Sequence, residues 1–430
     1  MENSSPVGGF NLTPLDQIAP KLYLDWFLSF RRDDPLLALP TLQNGVATLF
    51  EKLPFLKARV KHHDQSLSSG KVPTLDSILN EQENGGRGSF QSLLANMPLL
   101  SKNIALLFQA NIMADGIVLQ MRWNHCFMDA TGAAAVVAAL GECCRAFDLE
   151  EGQQQPSIVP LLRKDSSLRE TLLNLAYPDS ERRPQRHPIE MDDASTEACG
   201  FLCDLPTKLR ACKFSFSNSR IQRLKELCRE FQPSRALSSN DVLTALLAIS
   251  IHRTREISAT PAELVMAVNL RGRFRPPQFE SYLGNLVTIV KAPIPGEGPS
   301  TASHCRENGI GHDEIQQIVH IGSHIRGRLE SLDESYLSSW IQSDPRDLEG
   351  ITADHIIFSS FRHLKVYQVD FGSILGHIEA FESLNPPANN TCVLLPQAVE
   401  SSLWQVNITM DLIHLKTLQE DSLFAWATAI

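Results

Sequence analysis

The chain has 430 residues, of which 43% are hydrophobic and 20% charged, and a formal net charge of −10 at pH 7. That composition excludes a disordered chain, and the acidic balance excludes a broad phosphate-seeking face for nucleic acid. The length calls for two cores, or one double-sized pseudo-repeat.

The opening "MENSSPVGGFNLTPLDQ" has neither a basic region nor an apolar core. In the first half a helix is expected over "GVATLFEKLP", then strands over "FLKARV" and "GIVLQMRWNH". In the last of these, Ile117, Leu119, Met121, Trp123 and His125 share one face by the strand period of two, and Cys126 points away from it. "GAAAVVAALGECCRAF" reads as a helix with a face of small residues, able to lie close against a sheet. Its apolar run Ala133 to Leu140 is too short to span a bilayer, so no membrane association is expected. Cys143 and Cys144, being adjacent, are expected on different faces. Nine cysteines without a CxxC pair point to free thiols in a reducing compartment, and the cytoplasm is the expected location.

Three segments read as linkers: "EEGQQQPSIVP", "YPDSERRPQRHPIEMDDASTEACG" and "PIPGEGPSTASHCRENGIG". The middle one divides the chain. It sets an N-terminal domain at 1–176, a connection at 177–211 and a C-terminal domain at 212–430. In the second half "ACKFSFS" reads as a strand and "SRIQRLKELCREF" as a helix, with Ser217 as N-cap and Ile221, Leu224, Leu227 and Cys228 on the buried face. Another helix starts at "SSNDVLTALLAIS", where Ser238 and Asp241 have capping-box spacing. "ELVMAVNL", "GNLVTIVKA", "HIIFSSF", "VYQVDFG" and "SLWQVNITM" read as strands, giving a mixed α/β protein.

His125 and Asp129, in "MRWNHCFMDATG", stand four residues apart at a strand-to-helix turn. Loops at such turns are usual seats of catalytic side chains. An imidazole titrates near working pH and suits general-base work; the bland alternative is a histidine bonded to a backbone carbonyl. Cys126, beside it, reads as structural. His62–His63 and the pair His320/His324 lack a third ligand, so no metal is expected.

Five segments in order carry a family resemblance: "NLTPLDQIAPKLYLDWFLSF", "LFEKLPFLKARV", "HCFMDATG", "NLRGRFRPPQFESYLGNLV" and "SSFRHLKVYQVDFGSILG". Together they resemble the BAHD acyltransferases in their fungal branch. The resemblance implies two pseudo-repeated domains like chloramphenicol acetyltransferase, each a mixed β-sheet flanked by helices, with the segment near 354–371 completing the first domain's sheet. It implies a monomer with no tightly bound cofactor. Such an enzyme moves an acyl group from acetyl-CoA to a small-molecule alcohol, with His125 as base in a ternary complex. It further implies that Asp129 turns from the pocket to pair with Arg271. Asp370, Gly372 and Gly376 then set a structural turn, and Ser359 and Phe361 lie at the acyl pocket. Ser359 is either an oxyanion donor or an ordinary strand hydroxyl. Gly284 and Asn285 read as a turn near the pocket. The sequence departs from the family at Phe361, where tryptophan is usual, and in the run Asp370 to Gly376. Two alternatives remain open: a condensation-type enzyme using a carrier-bound thioester, and a non-catalytic metabolite binder on the same fold.

Overall fold

Strand-period alternation organises the first half. The computed structural model describes residues 13–20, 22–56, 60–64, 105–148, 158–177, 209–255, 262–273, 279–296, 310–342, 354–384, 388–398 and 400–428. It begins with helix α1 (Pro14–Ile18), strand β1 (Tyr23–Arg31), helix α2 (Pro35–Lys52) and strands β2 (Val60–Asp64), β3 (Leu106–Met113) and β4 (Gly116–Asn124). Helices α3 (Ala130–Asp148) and α4 (Ile158–Ala176) follow. On β1 the residues Trp26, Leu28 and Phe30 point one way, and on β4 so do Ile117, Leu119, Met121 and Trp123; all are buried in one core with α2 and α3. Trp26 seals this core, meeting Trp123 at 4.9 Å and Phe381 at 5.0 Å between ring centroids, both edge-on.

The second half holds β5 (Leu209–Ser217), α5 (Asn218–Phe231), α6 (Ser239–Arg253), β6 (Ala262–Asn269), β7 (Val287–Ile294), α7 (His312–Glu330) and α8 (Glu334–Gln342). Then come β8 (Ile356–Ser360), β9 (Ala380–Leu384), β10 (Thr391–Leu394), β11 (Leu403–Asp411), α9 (Leu412–Glu420) and α10 (Ser422–Thr428). Helix α6 is buried on all sides, as its almost unbroken apolar run requires, and the Ser238–Asp241 capping box opens it. The buried face of α5 is the expected Ile221, Leu224, Leu227 and Cys228. Ser217 is its N-cap by position, yet its hydroxyl bonds Ser219 Oγ (2.7 Å) and not the helix backbone.

The strands form two mixed sheets, in the orders β2-β3-β4-β1-β9 and β5-β11-β10-β8-β6-β7. One strand from the C-terminal half does cross over, but it is not the expected one. β8 sits inside the second sheet, parallel to both β6 and β10. Its Ile356 and Phe358 belong to the second core. The crossing strand is β9, antiparallel to β1 with Leu28 opposite Phe381. The aromatic packing of Phe381 on Trp26 gives β9 its place there. Two further bonds tie β9 back to the second sheet: Lys213 Nζ to Glu382 Oε1 (2.5 Å) and Asn407 Nδ2 to Ser383 O (2.7 Å).

Other expectations need correction. "VYQVDFG" is not a strand. Val366–Gln368 is a single 3-10 turn, and Gly372 (φ 94°) and Gly376 (φ 66°) take left-handed conformations that break extended pairing. Helix α2 begins at Pro35, well before "GVATLF", because Pro35 occupies the first turn and Pro40 is accommodated inside the helix. In "FLKARV" the strand starts only at Val60, after a 3-10 turn at Pro54–Leu56, and residues 57–59 lie outside the described residues. Cys143 and Cys144 are both buried in the first core, since α3 is covered on more than one side. That helix, at 19 residues, is long and apolar enough to cross a membrane, and half of it is buried in the protein.

The boundary at 176/177 does not separate the cores either. Leu172 of α4 and Leu15 of α1 pack in the second core, and Gln342 Nε2 donates to Leu175 O (3.1 Å). Most of the three linkers (149–157, 178–208 and 297–309) lies outside the described residues. Among the described residues Cys126, Cys143, Cys144, Cys212, Cys228 and Cys392 are in no disulfide.

Candidate active site

Strand β4 stops at Asn124 because the chain turns on that residue. Phe127 N–H donates to its carbonyl (3.0 Å) and Cys126 N–H to its Oδ1 (3.0 Å). His125 is therefore the first residue of a turn and not the last of a strand face, held by its own N–H on Leu22 O (2.9 Å). It is half-buried, whereas Cys126 is buried, with its Sγ against Ala19 O (3.8 Å).

Asp129 caps the helix that follows. Its Oδ1 accepts from Gly132 N–H (2.9 Å), and its carbonyl accepts from Ala133 N–H (2.9 Å). Its other oxygen faces away from the histidine, accepting from Arg271 Nη1 (2.7 Å) and Leu286 N–H (2.9 Å). Asp129 and Arg271 are only 3% and 5% exposed, so the ion pair is shut off from water. The remaining donors of Arg271 grip carbonyls, Nε on Tyr282 (3.0 Å) and Nη2 on Gly284 (2.6 Å).

These contacts converge on one turn, residues 282–286. Three of its N–H groups donate to three carboxylates, two on helices α4 and α1 and one at the cap of α3. Leu283 reaches Asp165 of α4 (2.7 Å), Asn285 reaches Asp16 of α1 (2.8 Å), and Leu286 reaches Asp129. Gly132 makes the approach of α3 possible: a Cβ there would lie 1.9 Å from Leu283 O. Two cations face the three carboxylates: Arg271, and Arg169, whose Nη1 donates to Asp16 Oδ2 (2.7 Å). Both guanidinium groups also approach the Tyr282 ring, Arg169 at 5.1 Å and Arg271 at 5.8 Å from its centroid. Burial holds the Asp165 carboxyl above the usual carboxylate range, against the pull of Arg169.

The turn presents Asn285 to the imidazole. Asn285 Nδ2 donates to Asp16 Oδ1 (3.0 Å) and to His125 O (2.9 Å), and neither of those oxygens has a proton to give. The amide orientation is thereby assigned, and Asn285 Oδ1 faces His125 Nδ1 at 3.2 Å. An amide oxygen only accepts, so Nδ1 carries the proton and Nε2 keeps its lone pair. Burial pushes the imidazole pKa below its ordinary value, against opposing pulls from its own backbone, Asp129, Asn285 and Asp16. In this arrangement a neutral ring has its lone pair on Nε2.

The other expected site residues lie elsewhere. Ser359 stands on β8 opposite Val393, and the Phe361 ring packs on Trp26 at 5.9 Å. Among the described residues no hydrogen bond joins either to His125. Asp370 accepts from Gly372 N–H (2.9 Å), and the loop it starts is pinned to the end of α3 by Asp148, which accepts from Ile374 N–H (3.1 Å) and Ser373 Oγ (3.3 Å). Arg32 Nε donates to Ile374 O (2.6 Å), and its guanidinium lies where a side chain at Gly376 would go. A cavity of about 180 Å³ opens where β9 meets β5 and β11, lined in part by Lys213, Tyr367, Glu382, Gln397 and Gln405; His125 does not line it. His320 and His324 are exposed, with ring centroids 4.6 Å apart and planes tilted by 58°, and among the described residues no three metal-ligating side chains gather.

No local sequence pattern marks Asp165 or Arg169 as part of the site, and Asn285 reads in sequence only as part of a turn. Asp16 is marked only by its capping-box spacing with Thr13.

Residues 74–424 match the Transferase family. The chain is 29% identical to a fumigaclavine B O-acetyltransferase of Penicillium roqueforti, with 96% of each chain covered. It is 28% identical to a communesin N16 acyltransferase of Penicillium expansum, with 99% of each covered. Among solved structures it resembles TRI101 of F. sporotrichioides complexed with coenzyme A and T-2, at a TM-score of 0.69 and 18% identity over 96% of this chain and 98% of that one. Vinorine synthase gives a TM-score of 0.64 at 14% identity, covering 100% of this chain and 96% of its own.

Proposed function

The chain belongs to the Transferase family, the BAHD acyltransferases, and on that footing we propose that it acetylates a hydroxyl of a fungal secondary metabolite, with acetyl-CoA as donor and His125 as general base. Relatives named for O-acetylation of fumigaclavine B and a TRI101 structure holding coenzyme A support the donor and the acceptor class. The observation that carries the mechanism is the Asn285–His125 bond, which leaves Nε2 unprotonated.

In the proposed ternary complex the acceptor O–H lies against Nε2. Its oxygen attacks the thioester carbonyl as its proton passes to Nε2, forming a tetrahedral oxyanion. Collapse of that species breaks the C–S bond, and the Nε2 proton goes to the leaving thiolate, releasing coenzyme A and the ester. The imidazole returns to its starting state. General-base help of this kind supplies roughly 10²–10⁴-fold, and the rest comes from holding the two substrates together. Asp129 takes no proton in this scheme; with Arg271 it fixes the turn on which His125 stands. Ser359 is the proposed oxyanion donor.

The test is release of free thiol from acetyl-CoA with candidate alcohols, wild type against His125→Ala. A drop of about 10²-fold or more in kcat, with coenzyme A still bound, supports the reading. A wild type that binds metabolite but releases no thiol defeats it in favour of a binding protein. Activity only with a carrier-bound thioester and an amine favours a condensation enzyme.

A further inference from the structure

We infer that Asp16, from the N-terminal turn of the chain, is a positioning residue for His125 that acts through Asn285. The inference rests on the reading of His125 as base. Asp16 is fully buried, and its two oxygens have separate tasks. Oδ2 serves the local fold: it accepts from Thr13 N–H (2.8 Å), Thr13 Oγ1 (2.9 Å) and Arg169 Nη1 (2.7 Å). A capping box and an ion pair account for all of that.

Oδ1 is different. It accepts from the backbone N–H of Asn285 (2.8 Å) and from its side-chain Nδ2 (3.0 Å). A residue needed only to cap α1 has no use for either bond. Gripping both donors of one asparagine fixes the peptide and the amide together, including which way the amide faces. If the amide flipped, Oδ1 of Asn285 would confront the Asp16 carboxylate and the His125 carbonyl, two acceptors, at the cost of two buried hydrogen bonds. The carboxylate thus selects the flip that offers oxygen to His125 Nδ1. It thereby selects the imidazole tautomer whose lone pair is on Nε2. The chain of contacts runs carboxylate, amide, imidazole, with no atom of Asp16 touching His125 or the proposed substrates.

The tautomer is directly readable. Histidine ring ¹⁵N shifts in ¹⁵N-histidine-labelled protein, with the His125 signals assigned by their loss in His125→Gln, distinguish Nδ1–H from Nε2–H. The wild type is expected to be Nδ1-protonated throughout, and an Nε2–H wild type overturns the inference without any variant. Asp16→Asn alone leaves Arg169 as a buried cation with a weakened partner and puts folding at risk, so the informative variant is Asp16→Asn/Arg169→Met, which removes both charges of that pair while Asp165, which also faces Arg169 (3.7 Å), keeps its bond from Leu283 N–H. In it a mixture of tautomers is expected. kcat should fall by about 10²-fold, as for a misplaced reacting group, while KM for acetyl-CoA changes by less than about twofold. The acid limb of the kcat profile should also move. A folded double variant with wild-type tautomer and kcat overturns the inference. Activity surviving in His125→Ala sinks the general-base reading instead, and the ring shifts still decide whether Asp16 governs the imidazole.

Discussion

Replacing Arg271 by methionine isolates what the buried ion pair does. Methionine keeps most of the apolar stem and loses the guanidinium, so Asp129 retains only the Gly132 and Leu286 N–H groups as hydrogen-bond donors. The carbonyls of Tyr282 and Gly284 each lose a donor as well. With both partners at 5% exposure or less, water cannot compensate, and breaking such a pair costs about 3–5 kcal/mol. For the 430-residue chain, an unfolding entropy of about 2.1 cal/mol/K per residue gives about 0.9 kcal/mol/K, so Tm falls by about 3–6 °C. The neutral pair Asp129→Asn/Arg271→Met strands no charge and should recover part of that loss, a coupling that a double-mutant cycle measures. The assay is a heating scan followed by circular dichroism, with kcat measured well below Tm. Asp129→Asn should lower Tm and reduce kcat far less than the ~10⁴-fold seen when the acid of a catalytic triad is neutralised. A wild-type Tm combined with a 10⁴-fold loss would refute this reasoning, because Asp129 would then be orienting the base directly.

The dependence of kcat/KM on pH should show an acid limb with its inflection below the ordinary histidine value of about 6.5, since burial disfavours the imidazolium. For stability the sign is the same: between the two pKa values the unfolded chain binds the extra proton, so His125 subtracts stability as pH falls through that window. An inflection above 6.5 in substrate-free enzyme contradicts the assignment. Gly132→Ala places a methyl 1.9 Å from Leu283 O, pushes α3 off the turn that carries Asn285, and should cost roughly 1–3 kcal/mol together with activity; unchanged thiol release would show that the turn does not matter. Gly372→Ala forces a side chain into φ 94° and within 2.3 Å of Asp148 Oδ2. It should lower the guanidinium chloride midpoint by the equivalent of about 1–3 kcal/mol while leaving KM for the acceptor near wild type, since this loop meets α3 at the end remote from His125.

How much of this was legible in the sequence depends on whether the cause is local. The strand β4 and its face as far as Trp123, the small-residue helix α3 and the box at Ser238 and Asp241 all follow from spacings of two to four residues, and the folded chain keeps them, while His125 passes into the turn. β1 went unread because "YLDWFLSFR" is buried on both faces, Asp25 included, so alternation is masked. β9 is five residues long and owes its place to Phe381 meeting Trp26, a pairing that no local pattern encodes. The site divides the same way. His125 and Asp129 share one turn and could be picked out together. Arg271 was reached only by resemblance. Asp16, Asp165 and Asn285 come from far-apart stretches, and an isolated acid on a helix normally reads as solvated surface.

That division also bears on why the turn at 282–286 is built from charge. A purely apolar seat would hold it at lower desolvation cost, since buried ion pairs seldom exceed a well-packed hydrophobic replacement in stability. What an apolar seat lacks is direction. Each N–H that ends on Asp165, Asp16 or Asp129 fixes one peptide plane, and Arg271 grips the carbonyls of two of those same planes, Tyr282–Leu283 and Gly284–Asn285, from their opposite edges. Sliding the turn by one residue would leave several buried polar groups unpaired at once, each costing about 1–3 kcal/mol. The arrangement trades some stability for a single register. That register brings the amide oxygen of Asn285, and not a neighbouring side chain, to the imidazole.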